Sequence, residues 1–561
     1  MSIQKFFNSE QKSVSFAAFI MMVAIFLSRF LGLIRDRLLA GAFGASIDLD
    51  IYYAAFKIPD LIYSIIFAGG ILVSFLPIFS EYQKKNQAEA WKITNSILNL
   101  FIILYAVFFI VFFIFSPDLI TLLIGSFPIA YQGEAIALTR LIFGAILFFG
   151  LSSIFSTILN YFQRFAVYSL APIFYNLGII AGTVFLTPHF GIFGPGLGVV
   201  IGAFLHLAIQ IPAAIQCGYK YKPVIVLRHP GLQKFFRLVV PRIIASCSSQ
   251  LVFLAATGAA AIVGAGAISV FNLSYNLSYL PIGILGVSFA TAIFPTLSKF
   301  WANNAKDEFY NNFRQTFNKI LFVALPIGLL IFILRNQIVE IIYRTGKFDE
   351  SAAAITAAAL GIYFLSIATQ CLVPLLLRGF FSIKDTLTPT LIAIVAMVLN
   401  ITLFLPFIAL FGGGHQFVFN FFGQNLFINL PAWLNANNLF TQATMQILNV
   451  QNLPNAPILG LVLIFNLCAL LEFVLLFIFF FKKVGNFGIK EIWFSFLKIF
   501  LATVGAGLTA QFILQQCLRC GALTQFILAS VMAGIIYLLL AFILKCPELN
   551  LLIQEIKNRN K

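Results

Sequence analysis

Ionisable side chains are what this chain has least of: 35 basic and 19 acidic residues among 561, one position in ten, against 61% hydrophobic residues. A water-soluble fold cannot hide that much apolar surface, so a globular cytosolic domain is excluded and a polytopic helical membrane protein is expected. Cysteine is sparse too. Cys217, Cys247, Cys371, Cys468 and Cys546 stand singly, mostly in or beside apolar runs, where a thiol is packing material. Cys517 and Cys520 share a predicted outward loop where a local disulfide could form, but no second ligand pair exists for zinc, so no metal site is expected. The four histidines (His189, His206, His229, His415) are scattered, and no catalytic constellation is visible. No Gly-x-x-x-x-Gly-Lys-Ser/Thr occurs, which removes a nucleotide-driven pump. The first apolar run, about residues 14–34, lacks a small-residue cleavage site and reads as a retained span.

About fourteen apolar segments of spanning length remain. With both termini inside, inward loops and tails collect about 23 Lys and Arg, and outward loops about four (Arg335, Arg344, Lys347, Arg519). This bias accounts for most of the net charge of +16, and no basic surface interleaved with aromatics suggests nucleic acid. A duplication organises the chain. Pro77–Tyr82 recurs as Pro295–Phe300, Pro172 as Pro389, and Pro195-Gly196-Leu197-Gly198 as Pro457-Ile458-Leu459-Gly460 once an insertion of about 45 residues is allowed. The expected architecture is therefore two pseudo-symmetric six-helix lobes around a central cavity, plus two extra C-terminal helices. Residues 1–217 make the first lobe, 218–240 a basic inward linker, 241–482 the second lobe, and 483–561 the last two helices with a basic tail. The insertion, 411–455, has no Lys, Arg, Asp or Glu and reads as an outward interfacial loop.

Against this background the polar positions stand out. In segment one, Ser28, Arg29, Gly32, Arg35 and Asp36 fall within roughly 120° of a helical wheel. In segment two, Asp50, Tyr53, Lys57, Asp60 and Ser64 fall within about 80°, with Pro59 and Gly69-Gly70 offering a bend. In segment eight, Asn272, Tyr275, Asn276 and Tyr279 fall within about 100° and lead into the flexible Pro281–Gly286. A charge at the bilayer centre costs at least about 2.5–3.5 kcal/mol, so such stripes must face water, a counter-ion or an anionic ligand. Guanidinium groups grip phosphate oxygens bidentately. Arg29 and Arg35, with Lys57 as a point charge, are thus candidate contacts of an anionic ligand, and Ser28, Asn276 and Tyr279 are candidate neutral contacts. Asp36, Asp50 and Asp60 would balance charge or take part in coupling. Arg140 and Arg242 stand between cavity and helix-pairing roles.

Several of these stretches resemble a known family. Ser28-Arg29-Phe30-Leu31-Gly32-Leu33-Ile34-Arg35-Asp36, Ala55-Phe56-Lys57-Ile58-Pro59, Leu280–Val287 and Arg378–Pro389 are similar to motifs of the MurJ/MviN lipid II flippases, within the multidrug/oligosaccharidyl-lipid/polysaccharide exporter superfamily. The resemblance implies a multi-pass protein of the bacterial cytoplasmic (inner) membrane with both termini cytoplasmic. Its substrate would be an undecaprenyl-pyrophosphate-linked disaccharide-peptide, carried to the outer leaflet by alternating access for peptidoglycan synthesis and cell shape. It further implies a groove beside the last two helices for the polyprenyl tail, and association with the phospholipid membrane and with cell-wall synthesis proteins. No cofactor is expected; a coupling ion (sodium, chloride or proton) is left open. The chain departs from the family pattern at Tyr63, Ser64, Gly69 and Asn276, where charged residues are common. Another polyprenyl-linked oligosaccharide, or a drug exported by the multidrug branch, is the alternative cargo; an enzyme is not expected.

Overall fold

A computed structural model describes residues 14–549 apart from 65–70, 413–415, 422–423, 430–438, 449, 451–452 and 454. The predicted Gly69–Gly70 bend and the centre of the insertion lie outside the described residues. The helices run in the order α1 (Val14–Phe43), α2 (Ile47–Tyr63), α3 (Ile71–Lys85), α4 (Gln87–Ile124), α5 (Ile129–Tyr161), α6 (Phe165–Phe190), α7 (Phe193–Gln216) and α8 (Pro230–Val263). They continue with α9 (Ala267–Ala302), α10 (Lys306–Ile333), α11 (Arg335–Tyr343), α12 (Glu350–Ser382), α13 (Leu387–Leu410), α14 (Leu439–Leu448), α15 (Ile458–Val484), α16 (Ile489–Gln516) and α17 (Ala522–Ile543). Among the described residues 11 helices are long and apolar enough to cross a membrane. With α1, the α2–α3 pair and α8 they account for the fourteen expected segments. Inside the insertion, β1 (Gln416–Phe421) pairs antiparallel with β2 (Gln424–Asn429), and β1 packs on α4.

The chain divides into two compact units. The first comprises residues 1–269 with 345–348 and 416–429, and the second the remainder. In the first unit α5 packs on α4, α2 and α7, and α6 packs on α7 and α1. The second unit repeats the pattern: α12 packs on α10, α9 and α15, and α13 packs on α15. Helix α8 packs on α2, α3 and α4 within the first unit. In the second unit α16 packs on α17 and on α10.

The duplicated glycine explains why this packing recurs. A Cβ on Gly198 of α7 would lie 2.7 Å from the Gly178 carbonyl oxygen of α6, and one on Gly202 would lie 2.5 Å from the Tyr175 carbonyl oxygen. Gly460 of α15, the counterpart of Gly198, would bring a Cβ within 2.0 Å of the Phe407 carbonyl oxygen of α13. In lipid, where the hydrophobic effect does not drive helices together, such close backbone approach supplies the dispersion contacts that do. Two helices relax their geometry between apolar turns, α6 with a π-turn at Gly182–Leu186 and α9 with one at Ile282–Val287. The second coincides with the proline–glycine run from which flexibility was expected.

Replacing Gly198 by Leu should force α6 and α7 apart and cost at least about 1–3 kcal/mol of stability. Gly144→Leu, at a position with nothing within 4 Å of an added Cβ, should be close to neutral. Thermal unfolding of the two variants in detergent, followed by intrinsic fluorescence, makes the comparison.

Candidate functional site

The stripe on α1 is held by one residue of α6. Arg35 donates from Nε and Nη2 to Asp36 Oδ1 (2.9 and 2.8 Å) and from Nη1 to Asn176 Oδ1 (3.2 Å). Asn176 Nδ2 in turn donates to the Ser28 carbonyl (3.2 Å) and to Ser28 Oγ (3.4 Å). Asp36 is only 2% exposed, whereas the Arg35 side chain keeps 23% of its surface open. A buried carboxylate beside a half-open guanidinium satisfies the acid fully and leaves part of the arginine fork accessible. Arg29, two turns earlier, is exposed. The structure thus brings Ser28, Arg35 and Asp36 together and adds Asn176, an amide one turn after Pro172.

On α2 the three acids and bases of the predicted stripe part company. Asp50 is fully buried and accepts from the backbone N–H of Gly266 (2.6 Å), the backbone N–H of Ser269 (2.7 Å) and the Ser269 hydroxyl (2.6 Å). It therefore satisfies the unpaired amides at the first turn of α9, where the helix dipole also favours a carboxylate. Its role is to anchor that turn within the first unit. Lys57 is half-buried, with Nζ 5.6 Å from the centre of the Phe253 ring of α8. Asp60 is exposed and, with Tyr63, Ser153, Tyr175 and His206, lines a cavity of about 400 Å³ inside the first unit.

Arg140 is occupied by helix pairing. Pro117 has no N–H to offer the Phe113 carbonyl four residues back in α4, so that oxygen, which accepts from the Ser116 hydroxyl (3.1 Å), lacks its helical donor. Arg140 of α5 donates to it from Nη2 (2.8 Å), donates from Nε to Ser116 Oγ (2.8 Å), and stacks 3.9 Å from the Phe113 ring centre. The side chain of Arg242 lies outside the described residues. Asn276 and Tyr279 belong to the second unit, where both are half-buried and Tyr279 stacks on Tyr275 at 5.7 Å between centroids. Cys517 and Cys520 are free thiols.

The loop between α12 and α13 carries a polar clasp. Lys483 Nζ pairs with Asp385 and donates to Thr388 Oγ1 (2.8 Å), and the Thr388 N–H donates to Asp385 Oδ1 (3.1 Å). Partial burial pushes the Asp385 carboxyl upward, but the hydrogen bonds from Lys483 and Thr388 outweigh it and hold the group below its ordinary range.

The fold and the charged helix define a class: a multi-pass membrane transporter built from two helical units, not an enzyme. The family model for the lipid II flippase MurJ matches residues 39–415, and the chain belongs to that family. It is 28% identical over 431 residues to a protein of Burkholderia cenocepacia named lipid II flippase MurJ, covering 74% of this chain and 80% of that one. A solved structure of a lipid II flippase MurJ in an inward closed conformation superposes with a TM-score of 0.73 at 24% identity, covering 94% of this chain and 98% of that one. An inward-facing multidrug resistance MATE family transporter of the MOP superfamily shares the fold at a TM-score of 0.59 and 13% identity, over 83% of this chain and 98% of its own.

Two outcomes follow from this geometry. Arg140→Ala should destabilise the protein by about 0.5–1.5 kcal/mol, because the Phe113 carbonyl loses its charged donor and keeps only the Ser116 hydroxyl. In a Pro117→Ala background, which restores an N–H to that carbonyl, the same change should cost clearly less; a double-mutant cycle of detergent melting curves measures the difference. The Asp385 clasp has a depressed acid pKa, so its contribution is present above the unfolded carboxylate value of about 3.9 and is lost as pH falls through the folded value. Amide protection of residues 383–388 should therefore drop on acidification in the wild type and lack that step in Asp385→Asn, as read by hydrogen exchange.

Proposed function

We propose that this chain carries lipid II, the undecaprenyl-pyrophosphate-linked disaccharide-peptide, from the inner to the outer leaflet of the bacterial cytoplasmic membrane by alternating access. Both termini are cytoplasmic in this reading, which rests on the concentration of Lys and Arg in the inward loops. The observation that carries it is the α1 stripe in a chain of this family: Arg29 exposed, and Arg35 half-open and oriented by Asp36 and Asn176. A pyrophosphate diester brings about two negative charges, which the planar forks of Arg29 and Arg35 suit and the point charge of Lys57 supplements. Ser28 would supply a neutral hydrogen bond to the remainder of the headgroup. Asp36 would compensate Arg35 when the lipid is gone and give way when it arrives. Energy would come from an ion gradient of sodium, chloride or protons, in keeping with the absence of a nucleotide-binding motif. Cell-wall synthesis proteins would receive the product outside.

The test is translocation of labelled lipid II in proteoliposomes of the full-length chain, alongside rescue of cells depleted of their own lipid II flippase. Arg29→Ala at normal membrane levels should abolish translocation, and Arg29→Lys should restore only a fraction of it, because the charge returns without the fork. Full activity of Arg29→Ala would refute the assignment.

A further inference from the structure

The cavity in the first unit lies between α2, α5, α6 and α7, and its wall is mostly apolar. Asp60 is the one carboxylate in that wall, and among the described residues it forms no ion pair or hydrogen bond. Lys57, three positions earlier on α2, acts on it through space, and Asp60 in turn acts on the ring hydroxyls of Tyr52, Tyr63 and Tyr175. From α1, Arg35 acts on Tyr52 and Tyr175, and Asp36 on Tyr52. From α5 the polar contribution is Ser153, whose hydroxyl lies 3.0 Å from the Tyr63 hydroxyl; α8 brings Phe253 to Lys57, and α4 adds nothing to the wall.

The wall also holds His206 of α7, whose ring is fixed from behind. Ser156 Oγ donates to Gln210 Oε1 (2.8 Å), Gln210 Nε2 donates to Ser152 Oγ (2.5 Å), and Ser152 Oγ lies 2.7 Å from His206 Nδ1. The ring is thus held from behind through Nδ1, and the carboxylate of the cavity is that of Asp60.

We propose that this cavity is a proton-binding site within the first unit: Asp60 takes up a proton from water to become a carboxylic acid. An ionised carboxylate facing a mostly apolar wall at membrane depth is costly, and protonation relieves that cost. The consequence reaches Lys57. While Asp60 is ionised it offsets the lysine one turn away; once it is protonated, the Lys57 charge is available to an anion. Proton binding at Asp60 and anion binding at Lys57 then favour each other, and by linkage the effect is reciprocal. This last step rests on the reading of Lys57 as a headgroup contact, whereas the proton site stands without it.

The experiment uses the full chain in lipid nanodiscs and dicyclohexylcarbodiimide, an apolar reagent that modifies protonated carboxyl groups, with the labelled position read by peptide mass spectrometry. Label at Asp60 should rise several-fold as the pH is lowered from about 8 to about 5, and sodium at constant pH should leave it unchanged. Undecaprenyl pyrophosphate should increase the label, and Lys57→Gln should remove that increase and, by taking away the neighbouring positive charge, move the midpoint of the pH profile to higher pH. A flat pH profile, or no label at Asp60, overturns the proton site. Suppression by sodium overturns it in favour of a sodium site. A normal pH profile that ignores undecaprenyl pyrophosphate leaves the proton site intact and refutes the role given to Lys57. Asp60→Asn serves as the blank, and peptide-resolved labelling of the wild type decides the matter even if that variant does not fold.

Discussion

Everything polar in this protein is arranged by the cost of leaving a charge or a backbone group without a partner in hydrocarbon. The chain meets that cost differently at each position. Asp50 is enclosed by amides of a helix start, Arg140 covers a carbonyl that a proline has deprived of its hydrogen bond, and Arg35 leans on Asp36 and Asn176 while keeping an open side. A residue whose donors or acceptors are fully used is an anchor. One that is partly used is open to a ligand, and by that criterion Arg35 of α1 and Asp60 of α2 are the groups left open.

Much of the scaffold was legible in the sequence because membrane proteins write it in long apolar runs, a signal that needs no tertiary information. The duplication was legible for a related reason. Gly198 and Gly460 are each required by a backbone lying against them, so the motif survives where the surrounding residues do not. The π-turn at Ile282–Val287 likewise falls where Pro281, Gly283 and Gly286 weaken the regular helix.

The site was less legible, because a helical wheel assigns a residue to a face but not to a partner. Asp50, Lys57 and Asp60 share one arc of α2, yet Asp50 finds its partners 216 and 219 positions away, at a turn that no local pattern links to it. Asn176 left only a faint signal, a lone amide after Pro172. The clue to Arg140 lay elsewhere altogether: Pro117, 23 residues upstream, leaves the carbonyl that Arg140 covers. His206 read as one of four scattered histidines, although Gln210 stands four positions on and on the same face.

The central claim is that Arg29 and Arg35 meet a pyrophosphate for which Asp36 competes. Its most direct test is the affinity of the nanodisc-embedded protein for undecaprenyl pyrophosphate, measured for the wild type, Arg29→Ala and Asp36→Asn. The account predicts that Arg29→Ala weakens binding by about tenfold or more and that Asp36→Asn, by releasing Arg35, tightens it. Equal affinities in all three proteins would contradict it.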